Sequence, residues 1–171
     1  MNEKETITHG FSAVFNQESL ILILGSAPSK KSREAGFFYM HPQNRFWKVL
    51  SGVYDDLDFI STNIDIKKNA LLRHNIALYD VIEKCDIIGS SDSSISNVEP
   101  AYDVINTILN NSSVKRIVLA GKTASKQFEK YKAGFDINKE IEIYVAPSTS
   151  PANATFPLNK LIVFWQKVLV F

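Results

Sequence analysis

Four short aliphatic runs constrain this chain most: LILIL (20–24), IALYDV (76–81), RIVLA (116–120) and IEIYVA (141–146). Each has strand length and little polar interruption, as expected of strands buried on both faces. Between them lie longer segments of helical period: Gln43 to Val53, a short turn around Lys67 to Arg73, Pro100 to Leu109, Thr123 to Lys132 and Leu158 to Val168. Strands alternating with helices predict parallel pairing with helices on both faces, a three-layer α/β/α fold around a mostly parallel four-stranded sheet. A chain of 171 residues with 45% hydrophobic content suffices for one such core, and no shift in composition marks a second domain, so residues 1–171 are read as one unit. The stretch GSSDSSISN (89–97) reads as a polar loop, and LIVFWQKVLVF (161–171) as a terminal helix packed on the core.

Composition narrows the function classes. The net charge is +1, so any nucleic-acid site has to be a local patch. The single cysteine, Cys85, rules out a disulfide framework, a thiolate zinc site or an iron–sulfur cluster held by this chain's own thiolates. His9, His41 and His74 lack ligand spacing, and the acidic run Asp55, Asp56 and Asp58 reads as solvated surface, so no metal is expected. The polar start MNEKETITHG has no signal-peptide pattern, and no apolar run reaches the roughly 18 residues of a membrane span. A cytoplasmic location is expected.

In open α/β sheets, ligands bind beyond the carboxyl ends of the strands, where loops and helix starts converge. The special residues of this chain collect there: GSAPS after the first run, Asp80 ending IALYD, GKTA after the third and PSTSPANA after the fourth. GSAPS is neither a Walker loop nor a G-x-G-x-x-G fingerprint, which leaves a plain turn as its other reading. Tyr39, His41, Pro42, Asn44, Phe46 and Trp47 set aromatics around an amide and an imidazole, the ingredients of a base-reading pocket. Phe46 and Trp47 read more simply as core anchors. The hydroxyls of Ser148, Thr149 and Ser150 suit phosphate oxygens, although such a loop is also often only a loop.

LGSAPSKKSREAGFFYMHPQNRFWKVL, followed by IALYDVI, GSSDSSI and PSTSPANA, resembles the hypoxanthine-DNA glycosylase branch of the uracil-DNA glycosylase superfamily, from about Phe11 to Trp165. The resemblance implies a monomeric enzyme without metal or organic cofactor. Its partner would be DNA containing a deaminated base, which it flips out and cleaves from the sugar. Ala27 stands where mismatch-specific uracil glycosylases carry a catalytic asparagine, and by the resemblance Asn44 supplies that amide, orienting water through its oxygen. Tyr39 falls at the aromatic that stacks on the base. Asp80 falls at the base-selecting position, where it would accept from N1–H of hypoxanthine or else merely brace its loop. Backbone amides of Gly25, Ser26 and Ala27 would face the leaving base, with His41 as a secondary candidate. Ser148 replaces the histidine of classical uracil glycosylases and cannot become cationic. Ser29, Lys30, Lys31, Lys122, Ser148, Thr149 and Ser150 would hold phosphates, and Pro151, Ala152 and Asn153 would press into the duplex. The alternatives are a preference for uracil or xanthine, and a catalytically silent module binding lesions or single strands.

Overall fold

The computed structural model describes residues 3–171. The four aliphatic runs form strands β2 (Ile21–Gly25), β3 (Ile76–Asp80), β6 (Arg116–Ala120) and β7 (Glu142–Ala146). They pair in parallel in the order β3-β2-β6-β7. All of β2 and β3 is buried, which is why their sequences are continuously apolar rather than alternating. The chain leaves β2 for β3 on one side and crosses to β6 on the other, so strand order reverses between β2 and β6. A crevice opens at the carboxyl ends of the strands at such a reversal.

Among the described residues, six α-helices complete the layers: α1 (Lys30–Ala35), α2 (Phe46–Tyr54), α3 (Ile64–Arg73), α4 (Tyr102–Asn110), α5 (Lys122–Tyr131) and α6 (Leu158–Leu169). The terminal apolar stretch is helix α6, with Leu161, Trp165, Val168 and Leu169 buried, and it packs on α2. Three expectations need correcting. The turn expected at 67–73 is a ten-residue helix, because Asn63 caps its start by accepting from the amides of Asp65 and Ile66. Helix α1 was not foreseen; Ser29 caps it and Gly36, at φ 71°, ends it. Pro100 ends a strand rather than starting a helix, and α4 begins at Tyr102.

A second sheet was also unforeseen. Strands β1 (Lys4–Thr8), β4 (Ile82–Ile88) and β5 (Ser96–Pro100) form an antiparallel sheet in the order β1-β4-β5. The segment 89–97 therefore does more than loop: it carries one 3₁₀ turn (Asp92–Ser94) and the start of β5. This sheet buries only Ile7, Ile82 and Cys85, with Ala27 of the first loop packed against them. It continues from β3 through Val81 and fastens the loop after β2, since Val81 and Ile82 donate their amides to the carbonyls of Gly25 and Ser26 at 2.8 and 3.0 Å.

Candidate active site

Two side chains from different parts of the chain meet over Gly25, the last residue of β2. A Cβ on Gly25 would stand under 3.0 Å from both Asp80 Oδ1 and Tyr39 Oη. Only glycine lets a carboxylate and a phenol converge there. Register places Asp80 directly beside Gly25 across the parallel ladder. Tyr39 arrives from the loop after α1 with φ at 54°, a left-handed conformation that is uncommon outside glycine. Ser32 helps hold that turn, since its buried Oγ accepts from the amide of Met40 at 3.1 Å.

Tyr39 stacks one ring face on Phe46, with centroids 3.9 Å apart, which leaves at most the other face for a base. Its hydroxyl is buried without a hydrogen-bond partner. Burial, and then the nearby Asp80 charge, raise its pKa well above the phenol range, so it remains a neutral donor. Asp80 is 4% exposed, and its Oδ2 lies 2.8 Å from His9 Nε2. Phe46 and Trp47 are core anchors, buried against each other and against Trp165 and Phe37.

Asn44 sits half-buried just before α2. Its Oδ1 accepts from the amide of Phe46 at 2.9 Å and from Thr149 Oγ1 at 2.8 Å. Both lone pairs of the amide oxygen are thereby engaged, which leaves Nδ2 as the free hydrogen-bonding group. Orienting water through the oxygen, as expected from sequence, conflicts with this arrangement. Thr149 needs correcting as well. It is 2% exposed and braces Asn44, so its hydroxyl does not face a phosphate.

The residue that sequence reasoning missed is Arg45. Its guanidinium donates to the carbonyls of Ser150 at 3.0 Å, Asn153 at 3.1 Å, Thr149 at 3.4 Å and Phe156. Its own amide donates to Thr149 O at 3.1 Å. One planar fork thus ties the loop after β7 to the start of α2 and sets Thr149 against Asn44. A lone arginine between Asn44 and two buried aromatics was the available signal. The same loop crosses the sheet's reversal point, where Gly121, at φ 102°, leaves room for Ser148.

The remaining candidates fall around this centre. Pro151 and Ala152 are exposed at the loop tip, while Ser148, Ser150 and Asn153 are half-buried. Much of their polarity is spent on the loop itself. Ser148 Oγ accepts from Ser150 N, Ser150 Oγ from Ala152 N, and Asn153 Nδ2 donates to Ser148 O. Ser29 is the exposed cap of α1, and Lys30, Lys31 and Lys122 are exposed at the starts of α1 and α5. His41 Nδ1 accepts from the amide of Gln43, so a neutral ring carries its proton on Nε2. Among the described residues, no group of three or more His, Cys, Asp or Glu side chains could hold a metal, and no helix is long and apolar enough to cross a membrane.

The chain matches the family model of the uracil DNA glycosylase superfamily over residues 13–169. It is 32% identical to a protein named hypoxanthine DNA glycosylase from Methanosarcina acetivorans over 156 residues, 90% of this chain and 93% of that one. It is 30% identical to another of that name from Methanosarcina barkeri over 118 residues, 68% and 73% of the two chains. A solution NMR structure of a Methanosarcina acetivorans protein, described as a candidate uracil DNA glycosylase, superposes with a TM-score of 0.73 at 27% identity, covering 94% of both chains. With a family match that takes in every element converging on Gly25, Asn44 and the loop after β7, the chain belongs to the uracil DNA glycosylase superfamily.

Proposed function

We propose that this chain, a DNA glycosylase of the uracil DNA glycosylase superfamily, excises hypoxanthine from deoxyinosine in DNA and leaves an abasic site for base-excision repair in the cytoplasm. The observation that carries the reading is the convergence of the Asp80 carboxylate and the Tyr39 hydroxyl over Gly25. An acceptor beside a donor complements a lactam edge, a ring N–H next to a carbonyl oxygen. Hypoxanthine has that edge at N1–H and O6. Adenine presents the inverse, a bare N1 next to an amino group, and a carboxylate facing that lone pair is repelled. Uracil and xanthine carry lactam edges too, so this pair separates deaminated bases from their parents. Hypoxanthine is favoured among them because Ala27 stands in the first loop and because the relatives carry that name.

In the reaction, the C1′–N9 bond breaks, its electron pair leaves with the purine, and water adds to C1′, losing a proton that balances the one the departing purine takes up. The sugar passes through oxocarbenium character, so the water needs placement more than deprotonation. Asn44 Nδ2–H donates to that water, while Oδ1 stays locked by Phe46 and Thr149. The Asp80 and Tyr39 groups hold the base as charge builds on it. The exposed Pro151 and Ala152 enter the duplex, and Lys30, Lys31 and Lys122 contact phosphates. The enzyme acts as a monomer, and each phosphate contact adds about 0.9 to the log–log salt slope.

Duplexes carrying one deoxyinosine, deoxyuridine or deoxyxanthosine are incubated with the protein and treated with alkali. Strand cleavage at deoxyinosine, lost in Asn44→Ala, is expected. Folded protein that cleaves no lesion rejects the enzymatic reading in favour of a silent lesion-binding module.

A further inference from the structure

The buried imidazole behind Asp80 is unused by the reaction just described. His9 has a fully buried side chain, its Nε2 lies 2.8 Å from Asp80 Oδ2, and its Nδ1 has no partner. The ring lies in an aromatic box, 4.1 Å from Tyr79, 4.4 Å from Phe11 and 5.6 Å from Phe38. The small sheet puts it there. Strand β1 pairs with β4 so that Thr8 opposes Lys84, and His9 then donates its amide to Glu83 O at 2.8 Å. Because β4 follows Asp80 after one residue, this register carries the imidazole directly behind the carboxylate.

We propose that His9 is the positioning residue for base selection: its Nε2–H holds Asp80 Oδ2, so that Asp80 offers a base an acceptor at Oδ1, over Gly25. This rests on the lactam-edge reading and deepens it. The pair has another proton arrangement, in which Asp80 is protonated and donates to a bare Nε2. That arrangement leaves a buried Nδ1–H donor without a partner, whereas the Nε2–H form leaves only a lone pair in the aromatic box. Unpaired donors are the costlier kind to bury. His9 thereby determines which sign of hydrogen bond the carboxyl offers a base, without touching the base itself.

The test reads both the free protein and base binding. Long-range ¹H–¹⁵N correlation on unmutated protein is expected to show His9 protonated on Nε2. A bare Nε2 with a protonated Nδ1 overturns the proposal. Binding is measured on duplexes carrying non-cleavable 2′-fluoro-deoxyinosine or 2′-fluoro-deoxyadenosine. In His9→Phe, which keeps the aromatic box, the preference for inosine is expected to shrink about tenfold, the scale of one hydrogen bond to a charged group. His9→Gln, which offers an N–H at similar reach, is expected to restore most of it and also serves if His9→Phe fails to fold. A folded variant without the donor that keeps the full preference overturns the proposal and leaves the substrate reading intact. Unmutated protein that neither prefers nor cleaves deoxyinosine rejects both.

Discussion

Replacing Arg45 tests whether one side chain sets the geometry of the loop after β7. The guanidinium serves four carbonyls of residues 149–156, three of them at 3.0, 3.1 and 3.4 Å. Hydrogen bonds to a charged donor contribute about 1.5–3 kcal/mol each when well shielded. Here the loop is only half-buried and its carbonyls regain water when released, so about 0.5–0.8 kcal/mol each is the better figure, or roughly 2–3 kcal/mol for the four. That cost falls on local opening of the loop and corresponds to about 30- to 150-fold faster amide exchange at Ser150 and Asn153 in Arg45→Ala. Thr149 then no longer braces Asn44, and kcat/KM on deoxyinosine falls with it. Arg45→Lys should recover little, because one ammonium does not span four diverging acceptors. Exchange in this loop unchanged within about threefold would refute the clamp, since a 2 kcal/mol constraint cannot be removed so quietly.

Asn44→Asp separates the two ends of the amide. The carboxylate still accepts from Phe46 N and Thr149 Oγ1, so stability should stay within about 1 kcal/mol of wild type. Single-turnover cleavage should nevertheless fall as far as in Asn44→Ala; retained activity would return the role to the oxygen. Tyr39→Phe removes a buried donor without a partner and should raise stability by about 1 kcal/mol in denaturant titration, while weakening discrimination of deoxyinosine from deoxyadenosine about tenfold. Loss of stability with discrimination intact would make the phenol merely structural. Asp56 is held down to about 2, first by the hydrogen bond from Arg73 and then by that from His74. Its contribution is therefore present above the ordinary carboxylate pKa of about 3.9 and is lost as pH falls toward 2. The stability gap between wild type and Asp56→Asn, within about 1 kcal/mol for a solvent-screened site, should close as the pH is lowered from about 4 toward 2.

The parallel sheet was legible because β2, β3 and β6 are buried along nearly their whole length and so read as unbroken apolar runs. The small sheet was not, for the same reason in reverse. KETIT and SNVEP are mostly exposed and polar, and their strand character comes from pairing with β4 rather than from a buried face of their own. Helix α3 was underestimated because its apolar positions are weakly segregated and its start is set by the Asn63 side chain. At the site, motif resemblance reached Asn44, Asp80 and the 148–153 loop. The contacts that give those residues their chemistry join positions 71 apart for His9 with Asp80 and 105 apart for Asn44 with Thr149. No local pattern encodes such a pairing. His9 therefore reads as an isolated histidine in an otherwise ordinary N-terminal segment until the register of β1 is known.

Several departures of this chain from good folding practice cluster around Asp80. Among the described residues, the buried polar side-chain atoms without partners include His9 Nδ1 and Tyr39 Oη, one on each side of Asp80. Tyr39 also holds a left-handed backbone, and the glycine beneath it is the residue least able to pack. Phenylalanine at position 39 would satisfy the core at lower cost, so burial alone does not account for the phenol. An unpaired phenol beside a carboxylate held from behind is a hydrogen-bonding deficit with a defined shape. A base that brings a carbonyl oxygen to Tyr39 and a ring N–H to Asp80 removes the deficit, and binding gains what folding gave up. A base with the inverse edge sets its lone pair against the carboxylate and leaves the phenol O–H without an acceptor. Discrimination then grows with the rigidity of the pair, and on the Asp80 side that rigidity comes from the histidine that holds the carboxylate.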